Sequence, residues 1–120
     1  MGDATPTVLI VDDEPQILRL LQKMIGPHRA NILIAPRPSE ALLLCERQTV
    51  DVLISDMAMP EMDGLKLAER VLKIHPNASV LLISGQYKEP PAAARAGRVR
   101  FLKKPFFPSD LVAMLEQMLG

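Results

Sequence analysis

The sequence predicts an α/β domain built on a five-stranded parallel sheet, doubly wound, with helices on both faces. Two observations carry this. Five short apolar runs recur, at residues 8–11, 32–35, 52–54, 80–83 and 99–102, and most are continuous rather than alternating, as suits strands covered on both faces. The stretches between them carry apolar residues at helical spacing. Strands alternating with helices build a parallel sheet, and right-handed crossovers leave few topologies. The 120 residues fit one domain, expected over residues 1–120, and 48% hydrophobic residues can supply its core.

The helices follow in order. Pro15 suits a first helical turn, where its missing N–H needs no partner, and Ile17, Leu18, Leu21, Met24 and Ile25 share one face. The second helix follows Pro38, with Ala41, Leu42 and Cys45 inward. The third follows Asp63-Gly64 and carries Leu65, Ala68, Val71 and Leu72. A fourth is short: Pro90-Pro91, then residues 92–96, closed by Gly97, which suits a helix C-terminus. The last follows Pro108 and carries Leu111, Val112, Leu115, Met118 and Leu119.

Lys plus Arg (14) equals Asp plus Glu (14), so no basic excess points to nucleic acid or a membrane surface. The lone Cys45 cannot form an internal disulfide, and a reducing cytoplasm is the expected setting. No apolar run is long enough to span a bilayer, and the N-terminus lacks the features of a signal peptide.

In such a fold the C-terminal ends of the strands open onto one edge, and ligands bind there. Asp12-Asp13 follow the first run, Ser55-Asp56 the third, Ser84-Gly85 the fourth and Lys103-Lys104-Pro105 the fifth. The second ends in Ala35-Pro36, offers nothing ionisable, and is placed away from the site. Two carboxylates about 4 Å apart repel by about 4 kcal/mol at an effective dielectric near 20. Either one of them titrates higher or a hard cation sits among them. Oxygen donors without imidazole or thiolate favour Mg²⁺ or Mn²⁺ over zinc. Magnesium keeps its waters and contacts phosphate, and a carboxylate can act as nucleophile to give an acyl phosphate. That combination points to phosphoryl transfer.

Four stretches stand in order: Val-Leu-Ile-Val-Asp-Asp-Glu at 8–14, Asp-Met-Ala-Met-Pro-Glu-Met-Asp-Gly at 56–64, Leu-Leu-Ile-Ser-Gly at 81–85 and Phe-Leu-Lys-Lys-Pro-Phe at 101–106. Together they resemble the response regulator receiver domains of two-component signalling, over essentially the whole chain. The resemblance implies a flavodoxin-like receiver fold with strand order 2-1-3-4-5. It implies Asp56 as phosphoacceptor, with Mg²⁺ or Mn²⁺ held by Asp13, Asp56 and the Ala58 carbonyl, and by Asp12 through a bound water. Lys104, the lysine next to proline, would pair with the phosphoryl group rather than Lys103, and the Lys104–Pro105 bond would be cis. Ser84 would hydrogen-bond a phosphoryl oxygen, and Ser84 with Phe101 would form the conformational switch. A histidine kinase or histidine phosphotransfer protein would donate the phosphoryl group. An output domain or effector protein would read the change of conformation. Such a domain is not an enzyme on a separate substrate; it promotes its own phosphorylation and dephosphorylation.

Plainer readings compete. Asp12-Asp13 could cap the first helix, Asp56 could sit in a turn before Pro60, Ser84-Gly85 could be only a turn, and Phe101 could be a core aromatic. A cap explains one acid, not three. Two other functions compete as well. A pseudo-receiver would keep the fold as a docking module without phosphorylation, but typically lacks one or more of the acids, the hydroxyl or the lysine, all present here. A phosphatase of the haloacid dehalogenase type needs a second acid two residues after its nucleophile, and Asp56-Met57-Ala58 lacks it. Cys45 and the methionines read as packing, and His28 and His75 as loop-flanking residues. Tyr87 and Gln86 are expected near the mouth of the site, and the resemblance implies that Gln86 and Ala58 fall where receivers vary and where side chains can tune the lifetime of the phosphoryl group. The chain suits either a single-domain regulator or the receiver of a longer protein.

Ser84 and Lys104 are only 20 positions apart, shorter than in most receivers, and Pro90-Pro91 stops a helix entering from Ser84. The fourth helix is therefore shortened. In receivers the face of helix 4, strand 5 and helix 5 commonly carries the signal by dimerising. Here size-exclusion chromatography with and without a phosphate mimic is expected to show no monomer-to-dimer shift; a shift through that face contradicts the reading.

Overall fold

The computed structural model describes residues 5–26, 30–85 and 99–119. Nine elements follow one another: β1 (Thr7–Val11), α1 (Pro15–Ile25), β2 (Asn31–Ala35), α2 (Pro38–Arg47), β3 (Val52–Asp56), α3 (Gly64–Ile74), β4 (Ser79–Ser84), β5 (Val99–Lys103) and α4 (Pro108–Leu119). The expected short helix at residues 92–96, with His28, Gln86 and Tyr87, lies outside the described residues.

All strand pairs are parallel, in the order β2-β1-β3-β4-β5. Each apolar run forms a strand, extended at one or both ends by a residue or two that the ladder still pairs. Because side chains alternate along a strand, each feeds two cores. Leu9, Val11, Leu53, Val80 and Leu82 meet Ala41 and Cys45 of α2 and Leu67, Ala68 and Val71 of α3. Val8, Ile10, Ile54, Leu81 and Ile83 meet Leu18, Leu21 and Ile25 of α1 and Leu111 and Leu115 of α4. Each buried Leu or Ile stabilises the fold by about 1.5–3 kcal/mol. The double coverage explains why the runs are continuous. Among the described residues, no helix is long and apolar enough to cross a membrane.

The helix faces match the expected spacing, and α3 adds Leu67 to the expected set, while Leu65 and Leu72, like Ile17 and Leu42 of the other helices, pack half-buried on the cores. In α3 the fully buried stripe is Gly64, Leu67, Ala68 and Val71. The cause is Gly64. A Cβ there would stand 2.5 Å from the Asp56 carbonyl oxygen and 3.0 Å from Met57 Cα. Only glycine lets the start of α3 press this closely on the end of β3, and positions three, four and seven residues on then face the sheet. Asp63 caps the helix by accepting a bond from the Lys66 N–H at 2.7 Å. At the end of α1, Gly26 takes φ 76° and donates to the Gln22 carbonyl, a left-handed position that favours glycine.

Gly64→Ala is expected to destabilise the protein by roughly 1–3 kcal/mol, the usual cost of overpacking. A urea melt checks this; an unchanged midpoint contradicts the close approach.

Candidate functional site

The order of the sheet decides which residues can meet. β1 lies between β2 and β3, so the residues that follow β1 stand beside the end of β3. Val11 pairs with Ser55, and Asp56 pairs with Ile83 of β4. One carboxylate oxygen each from Asp12, Asp13 and Asp56 lies within 4.8 Å of the others. Asp12 is 3% exposed, Asp56 is half-buried and Asp13 is exposed.

Asp12 is held on both sides. Its backbone N–H donates to the Ala35 carbonyl at 3.3 Å, and its Oδ1 accepts the Glu14 N–H at 2.9 Å. The carboxylate thus sits at the entrance of α1, where Glu14 at the N-cap position makes no side-chain cap of its own. Asp12 orders the residue just ahead of α1 without capping the helix itself, and this leaves Asp13 and Asp56 unexplained. Burial away from water pushes the Asp12 carboxyl up to about 6. The Asp56 and Asp13 charges push the same way, while the Glu14 N–H and the Lys104 ammonium oppose them.

Asp56 faces Lys104, whose Nζ is 3.8 Å from Oδ1. The Ala58 N–H reaches the same oxygen at 3.4 Å. With side-chain exposures of 37% and 15% for Lys104 and Asp56, this pair adds at most about 1 kcal/mol to stability. Its importance is where it puts a positive charge. Lys104 is placed by its own N–H, which donates to the Ser84 carbonyl at 2.9 Å. Lys103 pairs with Ser84 in the ladder and is exposed, so Lys104 is the lysine paired with Asp56. The Lys104–Pro105 bond is cis. Ser84 is buried at the end of β4, one residue past the partner of Asp56. Phe101 pairs with Leu82 and packs, half-buried, on the core under α2 and α3.

Three further groups fix the Asp56 backbone. The Ser55 hydroxyl donates to the Asp56 carbonyl at 2.9 Å. The Met57 N–H donates to the Ile83 carbonyl at 2.9 Å, and the Met57 carbonyl accepts from Gly64 at 2.8 Å. Sequence reasoning singled out neither Ser55 nor Gly64 for this task; the only signal was glycine immediately after the Asp63 cap. β2 ends at Ala35 without an ionisable side chain; two residues further on, Arg37 pairs with Glu40 at 3.7 Å and lines a hollow of about 290 Å³ with Asp13, Pro36, Pro60 and Glu61. On the opposite side, an apolar groove of about 530 Å³ runs from Asp12 and Lys104 past Ile17, Leu20 and Met24 to Phe106.

The donor set suits a hard divalent cation: carboxylate oxygens close together, with no imidazole or thiolate in the group. His75 is engaged elsewhere, its Nε2 lying 2.8 Å from the Cys45 carbonyl. Cys45 is buried, which pushes its thiol up to about 11 and leaves it inert.

The sequence matches the response regulator receiver domain family over residues 8–116. It is 36% identical over 114 residues to an uncharacterized 14.6 kDa protein of Leptolyngbya boryana, covering 92% of this chain and 87% of that one. It is 32% identical over 114 residues to the transcriptional regulatory protein GlrR of Escherichia coli, covering 93% of this chain but 26% of that protein. The chain thus spans about a quarter of that relative's length. Among solved structures, the signal receiver domain of an HD domain-containing protein from Pseudomonas fluorescens aligns with a TM-score of 0.84 at 30% identity, covering 97% of this chain and 95% of that one.

A carboxyl that titrates higher folded than unfolded binds more protons in the folded state, so its contribution to stability falls as pH rises from about 4 through 6. Asp12→Asn, which can keep the Glu14 bond, is expected to stabilise the metal-free protein by about 1–3 kcal/mol at pH 7. The gain should shrink toward zero near pH 4. Urea melts at the two pH values check this; an equal effect at both contradicts it.

Proposed function

This chain belongs to the response regulator receiver domain family of two-component systems, and we propose that it is an active receiver in which Asp56 accepts a phosphoryl group. The donor is a phosphohistidine on a histidine kinase or histidine phosphotransfer protein. The P–N bond breaks, a P–O bond forms at an Asp56 carboxylate oxygen, and the imidazole leaves and takes up a proton.

One observation carries the reading: three carboxylates with oxygens within 4.8 Å of one another, and the Lys104 ammonium 3.8 Å from Asp56. Asp56 supplies the nucleophilic oxygen. Lys104 stands where it offsets negative charge on the incoming phosphoryl oxygens, and the Ala58 N–H adds a donor on the same side. The Ser84 hydroxyl, one residue beyond the β4 partner of Asp56, can donate to a phosphoryl oxygen. A Mg²⁺ or Mn²⁺ ion bound by Asp13, Asp56 and the Ala58 carbonyl, with Asp12 acting through water, would supply charge neutralisation beyond what Lys104 gives.

Signalling follows from the same placement. Ser84 and Phe101 lie on the adjacent strands β4 and β5. Drawing the hydroxyl toward a phosphoryl group alters the end of β4, two residues beyond the strand partner of Phe101, a local change that can bias two packings of the β5 side. An attached output domain or a separate effector protein would read the difference.

The rival reading, a docking module that is never phosphorylated, has no use for the acidic cluster. Burying Asp12 against two other acids opposes folding at neutral pH, and docking gains nothing from it.

Intact-mass measurement after incubation with a small phosphoryl donor and Mg²⁺ tests the proposal. One added phosphoryl group is expected on wild type, none on Asp56→Asn, and none after chelation. Wild type without an adduct favours the docking module.

A further inference from the structure

We infer that Glu61 is a positioning residue for the metal and phosphoryl chemistry, acting as a cap on α2 supplied from another loop; this rests on the active-receiver reading. α2 begins at Pro38 behind Arg37, whose side chain makes no capping bond. Its first exposed donors are met instead by Glu61, in the loop between β3 and α3. The Ser39 N–H donates to Glu61 Oε1 at 3.0 Å, and the Ser39 hydroxyl to Oε2 at 3.2 Å. Both carboxylate oxygens are engaged, and the negative charge stands at a helix N-terminus, where it is favoured.

The consequence lies in what this bond ties together. The loop leaves Asp56, passes Ala58 and ends at the Asp63 cap. Its two ends are fixed by the Met57 and Gly64 backbone bonds and by Asp63. Met59 and Met62 hold its inner side against the core. Glu61 is its outer anchor, five residues from Asp56 and three from Ala58. It fastens the loop to the start of α2, directly after the Pro36-Arg37 turn that lines the hollow beside Asp13. A loop anchored at both faces holds the Ala58 backbone at a set distance from Asp13 and Asp56. Without Glu61 that distance becomes variable, and cation binding must restore order to the loop.

Isothermal titration with Mg²⁺ tests this on wild type, Glu61→Ala, Glu61→Gln, Ser39→Ala and the Glu61→Ala/Ser39→Ala pair. Phosphoryl uptake is followed in parallel at limiting and saturating Mg²⁺. Each alanine variant is expected to weaken Mg²⁺ binding roughly three- to tenfold, the double variant no more than Glu61→Ala alone, and Glu61→Gln by less. Uptake should fall at limiting metal and recover at saturation. If Ser39→Ala binds Mg²⁺ like wild type while Glu61→Ala and Glu61→Gln fall equally, only the charge matters and positioning is overturned. Lower melting temperatures with unchanged Mg²⁺ affinity overturn it too, in favour of a purely structural cap. Wild type that binds Mg²⁺ and is phosphorylated, with variants that match it, sinks this inference alone. Wild type that does neither sinks the active-receiver reading with it.

Discussion

The mutual repulsion of Asp12, Asp13 and Asp56 is the constraint around which this molecule is arranged. A fold left to maximise its own stability would separate these charges or replace them. Here the sheet order forces them together, because β1 and β3 are neighbours and both carry acids where the strands end. The burden falls mostly on Asp12, the most buried of the three, whose ionisation is opposed first by loss of water and then by its neighbours. Among the described residues, the ammonium paired with Asp56 is that of Lys104, and one positive charge does not balance three carboxylates. On the proposed function, a cation and an incoming phosphoryl group complete the arrangement.

The rest of the structure can be seen as what keeps that unfavourable cluster in place. Two apolar cores clamp the sheet from either side, so the strand ends cannot drift apart. Gly64 brings α3 against the Asp56 carbonyl, and Ser55 satisfies the same carbonyl from within the strand. Lys104 is positioned through the Ser84 backbone rather than by its own long side chain. Each device fixes backbone, and the side chains of the cluster inherit their positions from it. A rigid support of this kind is what electrostatic chemistry needs, since charges that must reorganise during reaction lose much of their effect.

Much of this was legible in the sequence, for identifiable reasons. Continuous apolar runs reveal strands buried on both faces, and the acids, hydroxyl and lysine at their ends follow from where parallel sheets bind ligands. The choice of Lys104 over Lys103 was legible only through its neighbour Pro105, and the strand order only through family resemblance. What stayed hidden depends on tertiary approach. Leu67 faces inward because Gly64 sets the rotation of α3, and spacing alone equally allowed Leu65 and Leu72. The approach of Arg37 and Glu61 to the rim of the site joins two loops far apart in sequence, and neither local propensity nor periodicity reports such a meeting.

The most direct test is chemical denaturation of the protein at pH 7 across a series of Mg²⁺ concentrations. If the cation relieves the repulsion, stability rises with concentration as expected for binding to the folded state, by about 2.7 kcal/mol at one hundred times the dissociation constant, and the rise vanishes in Asp13→Asn. A wild-type midpoint that does not move with Mg²⁺ beyond what Asp13→Asn shows would contradict the view that these acids are gathered to hold a metal.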